Sequence, residues 1–211
     1  MQLPFTEKQF LDLFGAYNAR VWPVVVALWV ATLWCSAGFV RGKAGSVALS
    51  ALAAAHWAWS GLVYHAVFFT RINPAAWLFA ALFVVQAVAF VWLGIVRRDL
   101  VFQWDRTPRH AAAAALVAYS LAYPFLVLLS GHEAPRAPLF AVPCPTTLFT
   151  AGLVLAASRP AIPVLIVPTL WALVGGSAAL KLGVLPDVML FPAAVFMVAY
   201  GVTRILQPGR Y

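Results

Sequence analysis

The stretch Gly131–Gly152, GHEAPRAPLFAVPCPTTLFTAG, decides how this chain is laid out. It sets His132, Glu133, Arg136, Cys144, Thr146 and Thr147 among four prolines, between apolar runs that carry almost no polar side chains. The apolar run from Cys144 to Ser158 is 15 residues long. At about 1.5 Å per residue, a straight helix of that length cannot cross a hydrocarbon core of roughly 30 Å. Two layouts follow. Either the proline-rich approach from Ala137 enters the membrane as non-helical chain, which is tolerated only where backbone lines a cavity or is buried in protein, or the span is tilted and locally thin.

Outward from this stretch, the composition settles the solvent. The chain of 211 residues is 64% hydrophobic and 9% charged, with a mean hydropathy of +0.91, whereas soluble domains carry roughly 25% charged residues. Lipid therefore replaces water around most side chains. The net charge of +8 does not point to nucleic acid, because the Lys and Arg residues stand singly or in pairs at the ends of apolar runs and form no basic stripe. Cys35 and Cys144 fall at opposite ends of their spans, too far apart for a disulfide.

Residues 1–17 are not a signal peptide, since Glu7, Lys8 and Asp12 interrupt them. Thr6 with Gln9 forms a capping box and Phe5 with Phe10 a hydrophobic staple, so a helix starts at Glu7. Its apolar face is expected to lie in the membrane interface. Spans are expected near residues 21–40, 46–69, 75–96, 111–129, 144–158, 162–180 and 188–206. The fold class is an all-α, polytopic transmembrane helical bundle of about seven spans in a single domain.

With the N-terminus outside, the inner side holds nine basic residues: Arg41, Lys43, Arg97, Arg98, Arg106, Arg109, Arg159, Arg204 and Arg210. The outer side holds five, Lys8, Arg20, Arg71, Arg136 and Lys181. The bias favours N-out and C-in. Shifting the chain by 112 residues lays Trp59 on Trp171, Pro74 on Pro186, Leu78 on Leu190 and Phe79 on Phe191. This is a weak signal for a three-plus-one-plus-three arrangement with parallel repeats.

In that orientation His65, Arg71, Asn73, His132, Glu133, Arg136, Cys144, Thr146, Thr147, Lys181 and Asp187 all lie near the outer ends of their segments; for His132, Glu133, Arg136, Lys181 and Asp187, contact with water in an outer loop is the competing explanation. A histidine inside an apolar run is costly to expose to lipid and should face the bundle interior; packing accounts for His56, and a role in the site for His65. Pro145 suits the first turn of a helix, where free amide donors and the Thr146 and Thr147 hydroxyls could hold an oxyanion, a carbonyl or a water. The competing role for these threonines is to bond back to their own helix. Asn73-Pro74-Ala75 matches the water-channel signature only in a single copy. Lys181 precedes the last span and does not suit a retinal Schiff base.

The blocks VYHAVFFTRINPAAWLFAALF (63–83), APLFAVPCPTTLFT (137–150) and LWALVGGSAA (170–179) together resemble a family of bacterial multi-pass proteins of about this length, catalogued only as a domain of unknown function. The resemblance implies a bacterial membrane protein and brings no activity or site residues with it.

The expected function is therefore physical inference: a transporter or channel of the bacterial inner membrane for a small polar solute, binding at His65, Asn73, His132, Cys144, Thr146 and Thr147. No catalytic group is read, and no cofactor is expected. The alternative is a metal or redox protein, or an accessory subunit, with His65, His132 and Cys144 as ligands converging within about 2.0–2.3 Å of one ion. The sequence lacks the paired histidines of a transmembrane b-type haem. The expected partners are the lipid bilayer and the solute, with a homo-oligomer or a larger membrane complex both compatible.

Overall fold

Each long apolar run becomes one helix, and successive helices run up and down a bundle. The computed structural model describes residues 3–105, 107–158 and 162–206. Of the charges used for orientation, Arg106, Arg159, Arg210 and the side chain of Arg204 lie outside the described residues. Helix α1 covers Glu7–Val40, α2 Ser46–Arg71, α3 Ala76–Val96, α4 Pro108–Leu129, α5 Pro143–Ala156, α6 Pro163–Leu182 and α7 Leu190–Leu206, the last entered through a 3₁₀ turn at Leu185–Met189. Among the described residues six helices are long and apolar enough to cross a membrane, and α5 is a shorter seventh. The molecule is a helical membrane protein.

The start of α1 is as its sequence dictates. The Thr6 hydroxyl accepts from the Gln9 amide, Gln9 caps Thr6 in return, and the Phe5 and Phe10 rings stack 5.8 Å apart. The helix does not, however, break before the first span. It runs without interruption through Tyr17 and Asn18, because those two side chains have partners in the tertiary structure. Asn18 Nδ2 donates to the carbonyls of Pro135 and Ala137, at 3.1 and 2.9 Å, and Tyr17 Oη donates to the carbonyl of Ala141 at 3.3 Å.

Those contacts also resolve the layout of the short fifth span. Its 14 residues rise about 21 Å, and the chain ahead of it enters the bundle without forming a helix. Residues Ala137 to Val142 are buried apart from Leu139, which is partly so. Backbone at that depth needs internal partners, and Tyr17, Asn18 and Ser60 supply them; Ser60 Oγ also donates to the Ala141 carbonyl, at 3.3 Å. Ala141 itself adopts φ 58°, the left-handed region, to turn the extended entry into α5.

Every residue of α5 except Cys144 is buried, against α2, α4, α6 and α7. The α4 contact is close enough that a Cβ on Gly152 would stand 2.8 Å from the Ala113 carbonyl. The far end of α5 is shut by the α3–α4 loop: Phe102 and Ala157 form an antiparallel bridge, with Gln103 N donating to Ala156 O and Ser158 N to Val101 O, both at 2.8 Å. Arg109 fastens that end by donating to Ala157 O and Tyr200 Oη, each at 3.0 Å. We call this the closed end of the bundle, and the end where residues 137–142 enter the entrance end.

Both α2 and α3 change winding inside their spans, with π-helical segments at Ser60–Phe68 and Val91–Val96. Such segments are uncommon and concentrate at functional sites. The first of them carries His65 to the entrance end.

Candidate functional site

Four elements leave a gap at the entrance end. The ends of α2 and α6, the first turn of α5 and the turn before α7 surround a cavity of about 560 Å³, and the opening turns of α1 form part of its rim. This volume lies within the roughly 300–1,000 Å³ of small-molecule sites. Its walls are largely aromatic and aliphatic, with Phe14, Tyr64, Phe69, Phe79 and Trp171 among them. Leu173 and Val174 of α6 line the cavity and are half exposed.

The polar groups are few and concentrated. Asp187, 6% exposed, sits in the 3₁₀ turn before α7 and lines the cavity. Tyr123 Oη of α4 donates to Asp187 Oδ1 at 2.6 Å, and the Cys144 thiol lies beside the same carboxyl group. Pro186 positions the turn, and its carbonyl accepts from Tyr119 Oη at 2.9 Å. At Gly175 the α6 backbone closes on this cluster: a Cβ there would lie 3.1 Å from Trp171 Nε1 and 3.5 Å from Cys144 Sγ.

The residues expected from sequence divide around this cavity. Cys144 lines it and is the one partly exposed residue of α5. Asn73 also lines it, but its Oδ1 accepts from the Ala75 amide at 3.1 Å, so its side chain helps to turn α2 into α3. Thr146 and Thr147 do not reach the cavity. Thr147 Oγ1 donates to Pro143 O at 2.8 Å, and Thr146 Oγ1 shares a 3.3 Å hydrogen bond with Ser60 Oγ. Their hydroxyls are engaged inside the protein and are not presented to a solute.

His65 is fully buried one side-chain layer behind the cavity wall. Five aromatic rings surround it, Tyr64, Phe69, Phe79, Phe83 and Trp171, with centroids 4.7–5.7 Å away. All but Phe83 also line the cavity. Neither ring nitrogen of His65 has a hydrogen-bond partner. His132 lies elsewhere, beside a separate cavity of about 350 Å³ with Glu133 and Arg136, and shares a 3.2 Å hydrogen bond with Ser130 Oγ. His65, His132 and Cys144 are thus not gathered around one point. Among the described residues no three His, Cys, Asp or Glu side chains form a group that could hold a metal ion.

Sequence reasoning placed Asp187 among the polar groups at the outer end without a partner, and it missed Tyr123. Asp187 directly follows Pro186 at the border of an apolar run, which made it look like part of a solvated loop. The signal that marks it is the lone carboxylate so close to a span, where ionisable groups turn inward.

Neither the curated proteins nor the solved structures include a match to the chain. The profile of a family of unknown function, DUF6064, matches residues 7–210, nearly the whole length. The chain belongs to that family.

Proposed function

We propose that this protein is a transporter of the bacterial inner membrane that binds a small solute in the entrance-end cavity, with that end facing outward. The observation that carries the reading is the cavity itself, about 560 Å³ with one polar cluster, Tyr123, Asp187 and Cys144, against walls that are mostly apolar and carry Asn73, Ser177 and Lys181 besides. Pockets that hold small molecules have this composition. Two further features support transport over static storage. The π-helical segment Ser60–Phe68 and the proline-bearing helices α4 and α6 border the cavity, and such interruptions are where helices bend. The excess of basic residues on the closed-end loops supports the orientation. The solute reading shifts from the PCPTT threonines to the acidic cluster, since Thr146 and Thr147 are occupied.

Accessibility tests this directly. In a background with Cys35→Ser and Cys144→Ser, a Ser177→Cys variant places one thiol on the cavity wall. A membrane-impermeant maleimide is expected to label it rapidly from the outside of spheroplasts and slowly from inside-out vesicles, the slow labelling marking an inward-open state. Labelling from the outer face alone would leave a binding protein without transport. Protection from both faces would sink the cavity reading.

A further inference from the structure

Resting on the cavity reading above, we infer that the solute is a lipophilic organic cation whose counter-charge is the Asp187 carboxylate. Asp187 is buried at the cavity, accepts a hydrogen bond from the Tyr123 hydroxyl and has the Cys144 thiol beside it. Both groups are neutral. The tyrosine fills one of roughly four acceptor positions on a carboxylate, and neither group cancels a negative charge in a low-dielectric surrounding. A carboxylate at that depth is costly unless a proton or another cation joins it.

The surrounding walls suit the same ligand. Aromatic rings attract a cation to their faces, Trp most strongly, and Trp171, Tyr64, Phe14 and Phe79 stand around the space that Asp187 borders. A small hydrated cation would lose its water here without replacement oxygens, whereas an organic cation with an apolar body gains from these walls. The half-exposed Leu173 and Val174 add apolar surface for the body of such a molecule. An anion of the same shape meets the carboxylate instead, at a cost. Lys181 also lines the cavity, farther along α6: it lies six residues beyond Gly175, about 9 Å of helix rise.

The test uses the full chain in nanodiscs and three probes of closely matched shape: tetraphenylphosphonium, tetraphenylborate and neutral triphenylphosphine oxide. Saturable binding of the phosphonium is expected to exceed that of the borate by about tenfold or more, the scale of one buried charge pairing. Asp187→Asn should abolish that preference and leave triphenylphosphine oxide binding unchanged, while Asp187→Glu and Lys181→Gln should keep it. Equal binding of the two ions by the unmodified protein, or a preference that survives Asp187→Asn, overturns the inference. Should Asp187→Asn fail to fold, the charge preference of the unmodified protein and of Lys181→Gln still decides. Binding of the neutral probe without charge preference leaves the cavity reading standing and removes only the cation; no saturable binding of any probe removes both.

Discussion

Two fully buried histidines stand at opposite ends of this bundle, and they are treated in opposite ways. At the closed end, His110 meets Asp105 through Nδ1 and Arg109 Nη2 through Nε2, the latter at 3.1 Å. At the entrance end, His65 has five aromatic neighbours and no partner for either nitrogen. Burying a polar group without a hydrogen bond costs about 1–3 kcal/mol on mutational scales. The closed end is built for stability. The entrance end retains a cost that packing alone would have removed, and it lies beside the cavity.

One substitution applied at both sites gives the sharpest contrast. His110→Leu takes away the ring that the partly buried Arg109 donates to and that solvent-facing Asp105 meets, so a loss of about 1–2 kcal/mol is expected from the Arg109 side. Thermal unfolding in mild detergent reads it as a fall in midpoint. His65→Leu replaces an unsatisfied ring with an apolar side chain inside an apolar box, and a gain of about 1–2 kcal/mol is expected. Opposite signs sustain the contrast between the ends. A comparable loss at both would mean that His65 has a partner of its own, such as a bound water, and would dissolve it.

The junction that feeds α5 offers a smaller effect. Ala141 holds φ 58°, which costs an L-residue with a Cβ about 1–2 kcal/mol relative to ordinary backbone. Glycine adopts that conformation freely but adds about 0.5–1 kcal/mol of unfolded-state freedom. Ala141→Gly is therefore expected to stabilise by about 0.5–1 kcal/mol. The carbonyl bonds from Tyr17 and Ser60 do not depend on the side chain and should persist. A destabilised variant would show that the Cβ packing, not the turn, holds the entry in place.

This junction also shows how far sequence could reach. The six long spans were legible because about 20 apolar residues in a row have few other fates. The short fifth run was legible as a problem with two solutions, and the non-helical entry is the one the protein adopts. What chose between them was invisible: Asn18 and Tyr17 had to be placed beside Pro135, Ala137 and Ala141, more than a hundred residues away in the chain. For the same reason nothing local showed that α1 continues through Tyr17 as one helix. Polar side chains near a span end look like the edge of the membrane until their partners are known. At the site, Cys144 was legible as a polar residue at a proline-marked helix start. Its neighbours Tyr123 and Asp187 come from two other helices, and no local pattern joins them.

The smallest expected effect probes the closed end through pH. Asp105 lies in the α3–α4 loop, where the Thr107 hydroxyl and amide, and then His110, hold its carboxyl down to about 2 from an ordinary value of 3.8. A depressed carboxylate contributes stability that is fully present above the unfolded value and is lost as pH falls through the folded one. The window is thus from about pH 4 down to about pH 2. The side chain faces solvent, where water and salt weaken such contributions. Over that window the unfolding midpoint should fall slightly more in the unmodified protein than in Asp105→Asn. His110 is the group that couples this loop to the buried cluster, so the difference should shrink further in a His110→Leu background. A pH response unaltered by Asp105→Asn would assign the acid sensitivity to other carboxylates. The closed end would then owe its strength to Arg109 and the Phe102–Ala157 bridge alone.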